Sequence, residues 1–163
     1  MKQPVGKRVD IDLVNPAVKA HFIDTGSPHA ILFVSDLETC DVTGMGRLLR
    51  HHHAFAPAGA NINFVKRGVS GLSVRTYERG VEAETLACGT GAVACAVIEC
   101  ILHKTPPPIA IHVRSGENLT VDFKLNAGEV DQVVLEGSAH LLFSGEVEYH
   151  PESMSLAKTS IPT

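Results

Sequence analysis

No apolar run in this sequence approaches the ~20 residues that a membrane-spanning helix needs, so no span is expected and a membrane is not an expected partner. No apolar leader follows Met1. There is no excess of basic charge: 14 Lys and Arg stand against 18 Asp and Glu, a formal net charge of −4. That balance gives nucleic acid no electrostatic footing. No Cys-x-x-Cys pair occurs among the four cysteines, and three of them, Cys88, Cys95 and Cys100, fall in or beside one apolar segment. This argues against both a zinc site and a disulfide framework, and points to a reducing setting, the cytoplasm. No repeat and no linker divides the chain. What remains is 163 residues with 44% apolar and 20% charged content, ordinary for one globular domain with its own core.

The sequence is organised around its middle. Ala92–Leu102 is apolar on every side except Glu99, and a helix that is apolar all round must be buried all round. Cys88 stands where this helix begins. The N–H groups of Gly89, Thr90 and Gly91 have no partner inside a helix. They form an expected anion site, favoured by roughly half a positive charge from the helix dipole. A thiol in that position is expected to have a depressed pKa.

The flanks read as strands. Arg8–Val14 alternates Val9, Ile11 and Leu13 with Asp10 and Asp12, the period of a half-buried strand. Ala17–Thr25, Ala30–Ser35, the stretch entered at Asn61 and Leu72–Tyr77 follow. Asp36–His52 reads as a surface helix with Asp41 as a candidate cap and Val42, Met45, Leu48 and Leu49 as its stripe. After the helix, Thr105-Pro106-Pro107-Pro108 ends regular structure. Ile109–Arg114, Leu119–Leu125, Gln132–Glu136 and His140–Tyr149 then read as an antiparallel meander. Residues 1–7 are expected to be a loose arm, 8–150 a single domain and 151–163 a disordered tail. Consecutive residues on a helix point in different directions, so His51-His52-His53 makes a poor metal site, and no metal is expected.

The string Glu78-Arg79-Gly80-Val81, then Glu84-Thr85-Leu86-Ala87-Cys88-Gly89-Thr90-Gly91, resembles the second cysteine motif of diaminopimelate epimerase, a cofactor-independent amino-acid epimerase. Thr25-Gly26-Ser27-Pro28-His29 and the approach to Asn61 fit the same family. The resemblance covers about residues 9–149, which would be the C-terminal half of such an enzyme. The Cys-Gly-Asn-Gly motif of the other half does not occur here. The fold so implied is α+β: a mixed, mostly antiparallel β-barrel wrapped around a central buried α-helix.

The resemblance also implies roles. Cys88 is the expected catalytic residue. Asn61, Glu78, Arg79, Gly89, Thr90 and Ser27 are the expected substrate contacts, with Asn63 the near competitor of Asn61. His29 and Glu78 are expected to tune the thiol pKa. Ser27 stands where the family has Asn, which weakens the carry-over at that position. Epimerisation takes the α-proton from one face and returns a proton to the other, so two thiols are required and this chain offers one. Cys95 and Cys100 read as buried core, and Cys40 has no special surroundings. No pyridoxal phosphate or other cofactor is implied. The expected partners are a small amino-acid substrate and either the missing N-terminal half or a second copy of the chain. The activity so read is conversion of LL- to meso-diaminopimelate. A related isomerase of the same fold, proline racemase-like or phenazine-pathway-type, stays open as an alternative, as does a non-catalytic remnant or binding module.

Overall fold

The computed structural model describes residues 9–12, 19–126, 128–146, 148–152 and 155–157. Nine strands form one sheet: β1 (Val9–Asp12), β2 (Lys19–Asp24), β3 (Pro28–Phe33), β4 (Asn61–Arg67), β5 (Leu72–Glu78), β6 (Ala83–Thr85), β7 (Ile109–His112), β8 (Asn118–Asn126) and β9 (Glu129–Glu136). Their order is β1-β2-β3-β4-β5-β7-β8-β9. β6 and β7 share one edge of β5: Thr76–Glu78 pair with β6, and Leu72 and Ser73 with β7. Two pairs are parallel, β3 with β4 and β5 with β7; the rest are antiparallel.

A parallel pair needs a long crossover. Each crossover here carries a helix, α1 (Val42–Arg50) between β3 and β4, and α2 (Gly89–His103) between β5 and β7. The sheet curls around α2 as a half-barrel, and seven strands, β2, β3, β4, β5, β7, β8 and β9, touch that helix. Every residue from Gly91 to Glu99 is buried, as the all-apolar pattern requires. Val93, Val97 and Ile98 are 0% exposed, each burial contributing roughly 1.5–3 kcal/mol. They pack with Ile31, Val65, Leu72, Val74 and Ile111 in the inner core. The outer core lies under α1, where Val42 and Leu49 meet Leu32, Ile62, Phe64 and Tyr77.

α1 is shorter than the expected 36–52. It starts at Val42, with Asp41 capping the Gly44 N–H at 2.9 Å. Residues before it are held out of the helix by Asp36, whose carboxylate accepts from the Glu38 N–H and the Thr39 hydroxyl, the local competition typical of Asp. Leu48 of the expected stripe is 74% exposed. Gly46 is required by close approach, since a Cβ there would overlap the Tyr77 side chain.

Three further expectations change. Val81–Glu84, a loop between strand and helix by its sequence, holds Ala83 and Glu84 of β6, which pairs with the end of β5 as a hairpin. The meander has three strands rather than four: residues 137–146 carry no strand, and Leu141, Leu142 and Phe143 are 84–89% exposed. A strand needs a neighbouring edge, and this stretch lies against none among the described residues. Within 151–163, β11 (Ser155–Ala157) pairs with β10 (Glu148–His150). Residues 1–7 lie outside the described residues. No helix among the described residues is long and apolar enough to cross a membrane.

Candidate active site

Successive residues on a strand face opposite sides, so the α2-facing side of the sheet can be read by twos. On β3 it is His29, Ile31 and Phe33; on β4, Asn61, Asn63 and Val65; on β5, Leu72, Val74, Thr76 and Glu78. All three strands change character in the same direction. Phe33, Ile31, Val65, Leu72 and Val74 pack on the body of α2. His29, Asn63, Asn61, Thr76 and Glu78 gather at its N-terminus. The expected site residues are thereby brought together by register: His29 pairs with Asn61 across β3 and β4, and Asn63 with Thr76 across β4 and β5.

Cys88 is the N-cap of α2, in an extended conformation (φ −131°, ψ 107°), and its side chain makes no capping bond. The sulfur is thus left for chemistry. It lies 3.6 Å from Thr90 Oγ1, and the nearby Gly91 N–H pulls its pKa down. Gly91 has to be glycine, because a Cβ there would stand 2.6 Å from Asn63 Oδ1 and 3.2 Å from Cys88 Sγ. Thr25 donates to the Thr90 carbonyl at 3.2 Å and ties the β2–β3 turn to the helix start.

His29 is fully buried. Its Nε2 lies 3.0 Å from Thr90 Oγ1 and its Nδ1 3.2 Å from Asn63 Nδ2. Burial, with the nearby Arg79 charge, lowers its pKa to about 4, so it is neutral at physiological pH.

Asn61 is bonded at both ends of its amide within the protein. Its Nδ2 donates to Ser27 Oγ at 2.8 Å and to the Pro28 carbonyl at 3.0 Å, and its Oδ1 accepts the Arg79 N–H at 2.8 Å. At 5% exposure it joins the Ser27 turn to the Glu78-Arg79 strand end rather than presenting both ends of its amide to a ligand. Ser27, Glu78 and Arg79 are half-buried. Glu78 accepts from Thr85 Oγ1 at 2.8 Å, a bond across the unexpected β5–β6 hairpin.

The expectation of a depressed Cys88 pKa is overturned. Burial raises it; the Thr90 hydroxyl and the Gly91 N–H pull down, and Glu78 adds an upward push. The donors of the helix start are present as expected, but desolvation of the thiolate outweighs them. Burial drives Cys95 far above the ordinary thiol range, and also raises Cys40 and Cys100. Cys95 and Cys100 pack in the inner core and Cys40 beside the outer one, so Cys88 alone of the four reaches the site. All four thiols are free.

Sequence reasoning missed Thr25, Thr76 and Thr85 as parts of this arrangement, and named Asn63 only as the competitor of Asn61 for a substrate contact. The period-two alternation places Asn63 and Thr76 on the face of His29, and that signal was available. The rings of His52 and His53 lie tilted against each other at 37°, with centroids 4.2 Å apart. Among the described residues no group of three His, Cys, Asp or Glu is placed to hold a metal.

The family described as diaminopimelate epimerase matches residues 21–142. The diaminopimelate epimerase of Aquifex aeolicus (strain VF5) is 44% identical over 128 residues, 77% of this chain and 45% of that protein. That of Hydrogenobaculum sp. (strain Y04AAS1) is 42% identical over 147 residues, 88% of this chain and 51% of that protein. The chain thus spans about half the length of the curated relatives it matches. Among solved structures, a phenazine biosynthesis protein of the PhzF family from Bacillus anthracis overlays with a TM-score of 0.48 at 17% identity, covering 84% of this chain and 40% of that one. A PhzF-family protein from Enterococcus faecalis gives 0.47 at 16%, covering 60% and 34%. The match over residues 21–142, taken with the arrangement around Cys88, establishes that the chain belongs to the diaminopimelate epimerase family.

Proposed function

We propose that this chain supplies one of the two thiols of a cofactor-independent epimerase that converts LL- to meso-diaminopimelate in a reducing cytoplasm. The observation that carries the reading is the uncapped Cys88 sulfur at the start of α2, between the Thr90 hydroxyl and the Gly91 N–H. The substrate carboxylate lies against the N–H groups of Gly89 and Thr90, where charge developing at the α-carbon is stabilised as it spreads into the carboxylate. Arg79 adds a bidentate partner for a carboxylate, Glu78 accepts from the substrate ammonium, and the Ser27 hydroxyl bonds beside them.

A two-base site begins each turnover with one thiolate and one thiol. Burial holds Cys88 in the protonated form at neutral pH, so Cys88 is the acid of the resting pair. It delivers its proton to the α-carbon on its own face, after a thiolate on the opposite face has taken the α-proton. That second thiol belongs to the half of the family fold that this chain does not span, or to a second copy. The β5–β6 hairpin and the turn from β6 to Cys88 also expose Val81 and Leu86, at 58% and 67%, an apolar rim suited to a partner surface. Light scattering is expected to find a homodimer at micromolar concentration; a monomer counts against the second-copy arrangement.

Ligand protection tests the reading. LL-diaminopimelate is expected to slow alkylation of Cys88, mapped by peptide analysis, and to shift the amide resonances of Gly89–Gly91. An unchanged Cys88 rate and unshifted amides at saturating amino acid would overturn it.

A further inference from the structure

We propose that Asn63 is a positioning residue that fixes the tautomer of His29 and thereby turns the Thr90 hydroxyl toward Cys88. The proposal deepens the reading of Cys88 as a proton-transfer group and rests on it for its catalytic meaning. The hydrogen-bond logic itself requires only the side chains in place.

Asn63 is 0% exposed and lies 3.1 Å through Nδ2 from the Ala30 carbonyl, while its Oδ1 lies 3.0 Å from Thr76 Oγ1. A carbonyl only accepts, so the amide cannot be flipped: the NH2 group faces Ala30, and the oxygen receives the Thr76 hydroxyl. The second hydrogen of the same NH2 points at His29 Nδ1, 3.2 Å away. That nitrogen must present its lone pair. A neutral imidazole then carries its proton on Nε2, 3.0 Å from Thr90 Oγ1. Thr90 Oγ1 is the acceptor in that bond, which leaves its own hydrogen for another acceptor. The Cys88 sulfur at 3.6 Å is within reach of a hydroxyl-to-sulfur bond.

The bonds run one way: Thr76 to Asn63, Asn63 to His29, His29 to Thr90, Thr90 to Cys88. Four donors in line polarise one another and end on the sulfur. They stabilise the thiolate that remains once Cys88 has given up its proton, and they do so without placing a positive charge beside it. A cationic His29 would lower the thiol pKa and leave less of Cys88 in the protonated form that the acid role needs. The depressed His29 pKa agrees with a ring that stays neutral. Other groups facing this line are few: Arg79 acts on His29, and Glu78 and Cys95 face Cys88 from β5 and from within α2.

A plain structural strut would leave the thiol titration indifferent to the direction of these bonds. The test reads direction. Long-range nitrogen–proton NMR of the unaltered chain is expected to show His29 with hydrogen on Nε2 and a bare Nδ1; hydrogen on Nδ1 overturns the proposal without any variant. Asn63→Asp places oxygen before Nδ1, which is expected to bring hydrogen onto Nδ1. Removing the terminal hydroxyl by Thr90→Val is expected to raise the Cys88 titration midpoint, followed by alkylation rate against pH, by about one unit, with Thr90→Ser restoring it. Asn63→Asp raises the midpoint too, and by clearly less when Thr90→Val is already present, because the charge effect remains but the relay is gone. Equal shifts in both backgrounds, or no shift in Thr90→Val, overturn the relay. If Asn63→Asp does not fold, the tautomer measurement and the Thr90 pair decide the question. None of these readouts needs a substrate, so they stand or fall independently of the proposed epimerisation.

Discussion

The two ends of α2 each bury a titratable side chain, and they handle it in opposite ways. At the C-terminal end, Glu99 is 3% exposed and saturated. Arg67 gives it three hydrogen bonds of 2.9–3.1 Å, Thr105 Oγ1 a fourth at 2.7 Å, and His103 lies 3.9 Å away. That network is ionic and closed. At the N-terminal end His29 is buried neutral, and its chain of bonds leads outward to a half-buried sulfur. A closed network serves the fold; one that ends on a reactive atom serves chemistry. The same helix needs the first to hold its position so that the second can be aimed.

Breaking the closed end should cost the most stability and the least chemistry. Arg67→Met leaves the Glu99 carboxylate buried with only Thr105 and His103, and is expected to remove about 3 kcal/mol, measured by urea denaturation. The Cys88 titration midpoint should not move. Adding Glu99→Leu removes the stranded charge and should recover most of the loss; failure to recover would mean that the pair does more than neutralise itself.

At the open end the expected signature is pH dependence. The folded-state pKa of His29 is about 4, against about 6.5 in an unfolded chain. Between those values the unfolded state binds a proton that the folded state refuses, so stability falls as pH drops through this window and the loss is complete below the folded value. The size is about 3 kcal/mol, and His29→Gln should flatten that part of the profile. An unchanged profile in the variant would show that His29 is not the buried neutral group described.

Much of this contrast was legible in advance. The all-apolar run from Ala92 to Leu102 required a buried helix, and its single break at Glu99 marked the closed end. The Cys88-Gly89-Thr90-Gly91 turn marked the other. Two things were not legible. The sign of the Cys88 shift depends on how deeply the sulfur is desolvated, which no local motif records. The role of Asn61 depends on register, because only pairing of β3 with β4 brings Ser27 and Pro28 to its amide. The expected fourth meander strand failed for a similar reason: Leu141–Phe143 has strand-like composition, but composition does not supply a neighbouring edge.

A smaller effect separates scaffold from contact within the open end. Asn61→Ala breaks three bonds that join the Ser27 turn to Arg79, and is expected to cost about 2 kcal/mol with faster hydrogen exchange at the Arg79 amide. The Cys88 midpoint should stay in place, since the relay through Asn63 does not pass through Asn61. A shifted midpoint with unchanged stability would instead make Asn61 part of the chemistry.

The central claim is that this chain carries one proton-transfer group where inversion needs two. The most direct test incubates the chain with meso-diaminopimelate in D2O, at a concentration where light scattering shows a monomer, and follows deuterium at the α-carbons together with configuration by chiral chromatography. Cys88 faces the proton it would deliver to the product, so the account predicts deuterium at the D-configured α-carbon with configuration retained and no LL product, and loss of that exchange in Cys88→Ala. Deuterated LL product from the monomeric chain, or exchange that survives Cys88→Ala, would contradict it.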